Sequence, residues 1–174
     1  MRLVQPLIRF DLAFSTFCLS NRFNIPLSVI SRWVSRSGDG PLYILIALMA
    51  YQFDNALGSV FVKTSILAFA IELPIYWMIK NTTRRRRPFE CSDSLSSFIQ
   101  PADRFSLPSG HTAGAVLMAT MLSAFFPVLL PIAVVWAFAV GAARVMLGVH
   151  FFSDILVGAV LGFTAAQLAL LLTM

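Results

Sequence analysis

The chain has 174 residues, of which 58% are hydrophobic and 12% charged, with a formal net charge of +5. Soluble domains carry about 25% charged residues, so this balance and a mean hydropathy of +0.81 exclude an ordinary water-soluble domain and point to a protein embedded in the bilayer. No soluble fold or aromatic-interleaved basic groove accompanies the positive charge, which excludes nucleic acid as a partner. One unit spanning residues 1–174 is expected, without repeats, low-complexity tracts or linkers. Arg2 and Arg9 are not followed by a short apolar run and a small-residue cleavage site, so no removable signal peptide is expected. Cys18 and Cys91 form no paired motif and no metal-ligand spacing.

The first 36 residues read differently from the rest. Leu3, Leu7, Phe10, Phe14 and Phe17 recur at spacings of four and three and share one helical face, while Arg2, Gln5, Arg9 and Thr16 fall elsewhere. That pattern predicts a helix lying in the membrane interface. A second short helix is predicted after Pro26, with Val29, Ile30 and Trp33 inward and Ser28, Arg32 and Arg36 outward. The alternative is a sixth span from Leu3 to Ser20, which would place Arg9 and Asp11 near mid-bilayer at a cost of a few kcal/mol each. Beyond residue 36, hydropathy predicts spans near 40–57, 59–79, 110–127, 129–147 and 152–173, each close to the roughly 20 residues that cross the hydrocarbon. Turns are predicted at "DNALGS" and "FFPVLLP", where Asp, Asn, Gly and Pro interrupt the helical pattern. The expected fold class is all-α: a polytopic membrane helix bundle of five or six transmembrane helices with N-terminal amphipathic interfacial helices.

Alternating spans bring the loop 80–109 and the turn around 148–151 to one membrane face. That face then gathers Lys80, Arg84 to Arg87, Arg104, "PSGH" at 108–111, Arg144, His150 and Asp154, including both histidines of the chain. His150 and Asp154 are four apart and would share a helical face, with the carboxylate reaching one imidazole nitrogen. An imidazole held in this way keeps its other nitrogen free as a nucleophile. The same spacing equally suits an acidic residue satisfying a helix N-terminus. In "LPSGHTAG", Pro and Ser ahead of a helical run expose backbone N–H groups at a helix start, an anion site beside His111; an ordinary capped helix start reads the same.

The order of these clusters is more specific than any one of them: Lys80, six residues, Arg87-Pro88; then Pro108-Ser109-Gly110-His111; then Arg144, five residues, His150, three residues, Asp154. In this order, and with "SGDG" at 37–40 and "RVMLGVHFFSDILVG" at 144–158, the sequence resembles the type-2 phosphatidic acid phosphatase superfamily, the membrane relatives of vanadium haloperoxidases and glucose-6-phosphatase, over about residues 38 to 165. The resemblance implies that Lys80, Arg87 and Arg144 bind phosphate oxygens, helped by Ser109 and the Gly110 backbone. It implies that His150 attacks phosphorus to form a phosphohistidine, oriented by Asp154, and that His111 protonates the leaving oxygen. One position departs from the family pattern: Ala143 stands where serine usually precedes the arginine of the third motif. On this reading residues 1–36 are an interfacial or first-span segment and 37–174 a catalytic bundle.

Phosphoryl transfer spreads negative charge over the equatorial oxygens, so fixed cations supply stabilisation that Mg²⁺ supplies elsewhere. The eight carboxylates, Asp11, Asp39, Asp54, Glu72, Glu90, Asp93, Asp103 and Asp154, include no pair spaced as a metal site within a motif. A hydrolase needing no metal and no cofactor is therefore expected. Arg84, Arg85 and Arg86 fall in the variable gap between the two predicted phosphate ligands and are expected to meet anionic headgroups or a second anionic group of the substrate. Glu72, inside a span, is expected to have a structural partner, with Arg144 or a backbone donor as candidates, in preference to a role in a proton relay.

A lipid phosphate or diphosphate is the expected substrate, its headgroup at the interface and its tail in the bilayer. Phosphatidic acid, phosphatidylglycerol phosphate, undecaprenyl diphosphate and lipid A phosphates all fit, and the extra arginines favour a polyprenyl diphosphate. A lipid phosphotransferase using the same intermediate and a non-catalytic anionic-lipid-binding protein remain alternatives; no oligomeric state is implied. The expected location is a cell membrane of bacterial inner-membrane type. The resemblance favours an outward-facing site, whereas twelve of the thirteen basic residues fall on the active face, all but Lys63, and the positive-inside rule then makes that face cytoplasmic with Met174 on the opposite side.

Overall fold

A computed structural model describes residues 5–20 and 24–174; the expectations for Arg2, Leu3 and Arg22 lie outside the described residues. Helices follow in the order α1 (Gln5–Leu19), α2 (Asn24–Arg36), α3 (Gly40–Phe53), α4 (Asn55–Thr83), α5 (Pro88–Cys91), α6 (Gly110–Phe125), α7 (Leu130–Met146) and α8 (Phe152–Thr173), with no strand among the described residues. The turn Pro127–Leu129 leads into α7. The stretch comprising α4 and α5, the stretch comprising this turn and α7, and α8 are long and apolar enough to cross a membrane; α3 and α6 are apolar but shorter. Both predicted turns fall where the helices break, at Asp54 and at Phe126.

The second predicted span is longer than its apolar run. Asp54 starts α4 by accepting the N–H groups of Ala56 and Leu57, both at 2.9 Å, and the helix continues through Pro74 to Thr83. It stops where Arg84 turns left-handed at φ 47°. Lys80 is thereby fixed on the last helical turn instead of floating in a loop.

α6 is the centre of the bundle and packs on α8, α7 and α4. Small residues let the backbones approach, as helices in lipid require. A Cβ added to Gly158 would lie 2.5 Å from the Ser109 carbonyl oxygen, and one on Gly162 would lie 2.1 Å from that of Ala113. The two glycines are one turn apart, so they hold the N-terminal ends of α6 and α8 together. Phe61 of α4, Leu117, Met118, Met121 and Phe125 of α6 and Ala166 of α8 fill the core toward the opposite end.

Of the two N-terminal helices, α2 turns its faces contrary to expectation, and α1 also presents apolar side chains outward. In α2, Ser28, Ser31 and Ser35 are buried while Val29, Ile30 and Trp33 are exposed, and the helix packs on α7. In α1, Asp11, Ser15 and Leu19 are buried, whereas Leu7, Phe10 and Phe17 are exposed. The physical reason is the solvent: apolar side chains facing lipid gain nothing from turning inward, whereas small and polar side chains find close packing and hydrogen bonds inside the bundle. Arg32 and Arg36 are exposed as expected.

Candidate active site

The predicted clusters meet at one end of the bundle. Backbone bonds join the loops directly: Ser109 N–H to the Asp154 carbonyl (3.1 Å), Ser106 N–H to that of Arg85 (2.8 Å) and Phe98 N–H to that of Leu147 (3.0 Å). Arg87, 1% exposed, donates through Nη1 to the Val149 carbonyl at 2.6 Å and through Nη2 to the Phe105 carbonyl at 3.0 Å. It thus ties the loop after α4 to the residue preceding His150.

His150 is 2% exposed. It does not lie on α8 with Asp154, as the four-residue spacing suggested, but in the bend before that helix. The reason is capping: Asp154, in the first turn of α8, accepts the Phe151 N–H through Oδ2 at 2.8 Å. The same oxygen accepts the Ser106 hydroxyl and lies 3.6 Å from His150 Nδ1. One carboxylate therefore caps α8 and lies beside the imidazole, so the two readings of the four-residue spacing coincide in Asp154. The separation to Nδ1 is longer than a hydrogen bond. Burial depresses the His150 pKa to about 4, reinforced by the charges of Arg144 and Arg87 and opposed by Asp154. At neutral pH the ring is uncharged with Nε2 pointing away from the carboxylate, the form a nucleophile needs. The turn holding it depends on Gly148, at φ +72°, where a Cβ would lie 2.3 Å from the Ser96 carbonyl oxygen.

Lys80 and Arg87 share an anion supplied by the protein. The Asp103 carboxylate lies 2.5 Å from Lys80 Nζ and accepts from Arg87 Nη2. Tyr76 stands beside them, its hydroxyl 2.6 Å from Asp103 Oδ2 and 2.5 Å from Lys80 Nζ. Partial burial alone would raise the Asp103 pKa, but the hydrogen bonds from Lys80 and Tyr76 and the charges of Lys80 and Arg87 hold it below the usual carboxylate range. Asp103 was only one of eight carboxylates in the sequence, and nothing marked it out.

Ser109 caps α6, its hydroxyl 2.9 Å from that of Thr112, and Gly110 begins the helix beside the Tyr76 ring. His111 follows, with Nε2 2.8 Å from Asp39 Oδ1. Asp39 belongs to the "SGDG" stretch and precedes α3, so that motif reaches the site from a third direction. Arg144, on the last turn of α7, donates to Ser35 Oγ at 2.7 Å. Ala143 beside it is buried and brings no polar atom. Glu72 is 2% exposed; it meets no hydrogen-bond or ion-pair partner among the described residues, and Arg144, expected as one candidate, bonds Ser35 instead.

The three-arginine run divides. Arg84 and Arg86 are exposed, Arg84 donating only to the Asn81 carbonyl at 3.0 Å. Arg85, expected to face headgroups with them, turns inward. Its Nη1 lies 2.7 Å from Asp154 Oδ1 and its Nη2 2.6 Å from Asp11 Oδ2, because two buried carboxylates leave the inward position the only one that neutralises them. A cavity of about 520 Å³ opens beside Arg87 and Asp103, under Phe98 and Arg104. A larger, apolar cavity of about 780 Å³ runs along α6, α7 and α8 from Thr112, Val145 and Ile155 to Leu130, Gln167 and Leu170. Among the described residues no group of three or more His, Cys, Asp or Glu side chains could hold a metal ion.

The PAP2 superfamily model matches residues 43–174. The chain belongs to that superfamily. Its fold is similar to that of Aquifex aeolicus LpxE, at 26% identity and a TM-score of 0.80, over 91% of this chain and 93% of that one. It is also similar to a transmembrane PAP2-type phosphatidylglycerolphosphate phosphatase from Bacillus subtilis, at 24% identity and a TM-score of 0.76, over 96% of this chain and 86% of that one. PAP2 membership makes this a membrane protein of a lipid phosphatase family. The site residues predicted from the three motifs all fall within the matched segment; Asp11, Ser35 and Asp39 lie before it.

Proposed function

We propose that the protein, acting as one unit over 1–174, is a lipid phosphate phosphatase that works through a phosphohistidine and without a metal. The observation that carries this reading is His150: buried, uncharged at neutral pH, its Nδ1 toward Asp154, with Arg87 bonded to the carbonyl just before it. The Nε2 lone pair attacks phosphorus as the ester P–O bond breaks, and the electron pair leaves on the lipid oxygen. His111, as the imidazolium paired through Nε2 with Asp39, gives that oxygen its Nδ1 proton. A water then attacks phosphorus, His111 takes its proton, the P–N bond breaks, and inorganic phosphate leaves. Lys80, Arg87 and Arg144, with Ser109 and the Gly110 N–H, balance the charge on the equatorial oxygens. The substrate phosphate takes over from Asp103 as the anion between Lys80 and Arg87.

An amphiphilic substrate suits the surroundings. The polar cavity beside Arg87 and Asp103 accommodates a headgroup, and the apolar cavity reaches the level of the residues that follow His111, Arg144 and Asp154, where an alkyl chain of the substrate would lie. The Bacillus subtilis protein named for phosphatidylglycerolphosphate makes a phosphate monoester lipid a natural first substrate. With Arg85 directed inward, two of the three arginines in the run, Arg84 and Arg86, remain for a second phosphate, which weakens the case for a diphosphate. The active face is cytoplasmic on the charge distribution. Arg32, whose Nη2 donates to the Phe98 carbonyl at 2.6 Å, stands on that face, while Lys63 lies 17 residues before Lys80, about 25 Å along the helix. A reporter fused after Met174 is then active only outside the cytoplasm; one active only inside reverses the orientation.

The deciding experiment is phosphate release from a panel of lipid phosphates and diphosphates in detergent micelles containing EDTA. Turnover that survives the chelator and vanishes in His150→Ala, with acid-labile phosphate on the quenched wild-type protein, is the expected result. Turnover restored only by Mg²⁺, or near-normal turnover in His150→Ala, would overturn it.

A further inference from the structure

The N-terminal helix carries a fully buried carboxylate that the mechanism above does not use. Asp11 is 0% exposed. Its Oδ1 accepts the Ser153 N–H at 3.1 Å, and its Oδ2 accepts the Ser153 hydroxyl at 2.5 Å and Arg85 Nη2 at 2.6 Å. Arg85 Nη1 in turn donates to Ser153 Oγ at 2.6 Å and to Asp154 Oδ1 at 2.7 Å. The guanidinium lies over the Phe151 ring, 4.5 Å from its centroid. Phe10 and Phe14 of α1 pack against Phe152, with centroids 6.1 and 5.2 Å away. α1 is thus fastened to the start of α8 by aromatic packing and by a closed polar network.

We infer that Asp11 and Arg85 are positioning residues that set the charge Asp154 presents to His150. Resting on the reading of His150 as nucleophile, this makes α1 part of the catalytic apparatus instead of a membrane anchor alone. An arginine held only by Asp154 would neutralise it, leaving little negative charge for an imidazole that becomes cationic on phosphorylation. Asp11 shares the guanidinium, so the Asp11–Arg85–Asp154 group keeps one net negative charge. The remaining Asp154 oxygen, Oδ2, is oriented toward His150 by the Phe151 N–H and the Ser106 hydroxyl. Arginine is required for the bridge, because its planar fork reaches two carboxylates at once and a lysine ammonium does not.

This charge balance makes a prediction that a purely structural role does not. Asp11→Asn keeps the size and some hydrogen bonds of the side chain but leaves Arg85 to Asp154 alone. It is expected to lower kcat on phosphatidic acid micelles by roughly ten- to a hundredfold, with KM changed by less than about threefold, and to weaken vanadate binding. Asp11→Asn/Arg85→Gln removes the anion and the cation together and returns the charge to Asp154. It is expected to recover most of the lost kcat and vanadate affinity, a non-additivity that a double-mutant cycle measures. Arg85→Lys keeps the charge of the group and loses only the fork that bonds both carboxylates, so its loss of kcat is expected to be smaller than that of Asp11→Asn. Thermal unfolding in detergent accompanies each variant, and if Asp11→Asn does not fold, Asp11→Ser with and without Arg85→Gln carries the same comparison. Wild-type kcat in Asp11→Asn, or a folded double variant no better than the single one, overturns the inference. A wild-type protein that neither turns over any lipid phosphate nor binds vanadate instead overturns the reading of the site itself.

Discussion

His111 Nε2 and Asp39 Oδ1 stand 2.8 Å apart, linking the start of α6 to the turn before α3. With Nε2 engaged by Asp39, Nδ1 is the ring nitrogen open to a substrate. Asp39→Ala is expected to lower turnover about tenfold, less than the ~100-fold or greater loss for His111→Ala, because it disturbs the acid without removing it. The deficit should shrink with lipid esters whose leaving group is more acidic. A deficit independent of the leaving group would show that Asp39 does not act through His111.

Burial holds the His150 pKa at about 4, below its ordinary value near 6.5. The sign follows from which form reacts: a depressed pKa keeps the neutral nucleophile populated down to about pH 4, so activity is lost only as pH falls through that value. The kcat/KM profile, which reports groups in the free enzyme, should show no His150 limb between pH 7 and 5. An acid limb with a midpoint near 6.5 that persists in the residual activity of His111→Asn would place the His150 ring in water.

Asp103 occupies the two cations that are expected to hold phosphate. Asp103→Asn removes a competing negative charge, so vanadate should bind several-fold more tightly, while kcat falls because Lys80 and Arg87 lose a common anchor. Inhibition titrations and turnover on the same preparation separate the two effects. Vanadate affinity that drops together with kcat would mean that Asp103 only organises the cations.

The close approach of α6 and α8 predicts a contrast between glycines. Gly162→Ala places a Cβ against the Ala113 carbonyl and should destabilise the fold by about 1–3 kcal/mol. It should also reduce turnover, because Ser109 and Asp154 sit at the ends of those two helices. Gly40→Ala meets nothing within 4 Å and should leave stability unchanged or raise it by up to about 1 kcal/mol. Thermal unfolding in one detergent measures both; equal effects would show that the helix contact is not tight.

Composition, hydropathy and motif order were enough to read the membrane class, the all-helical fold and the gathering of Lys80, Arg87, Ser109, His111, Arg144, His150 and Asp154 at one end, though not which helices are long enough to cross. Hydropathy over about 20 residues and motifs in fixed order are local signals, and the alternation of spans turns them into geometry without any knowledge of packing. Which side chains partner those residues emerges from contacts distant in sequence. Asp11 meets Arg85 across 74 positions and Ser153 across 142, and Arg144 meets Ser35 across 109. Such pairs depend on the rotation of α1 and α2 about their own axes. Hydrophobic periodicity left that rotation open, because in a bilayer the apolar face of a helix can turn outward, and here it did so on both. Arg85 looked like its neighbours Arg84 and Arg86 for the same reason: its place in the chain set its charge, and the buried Asp11 and Asp154 set its direction.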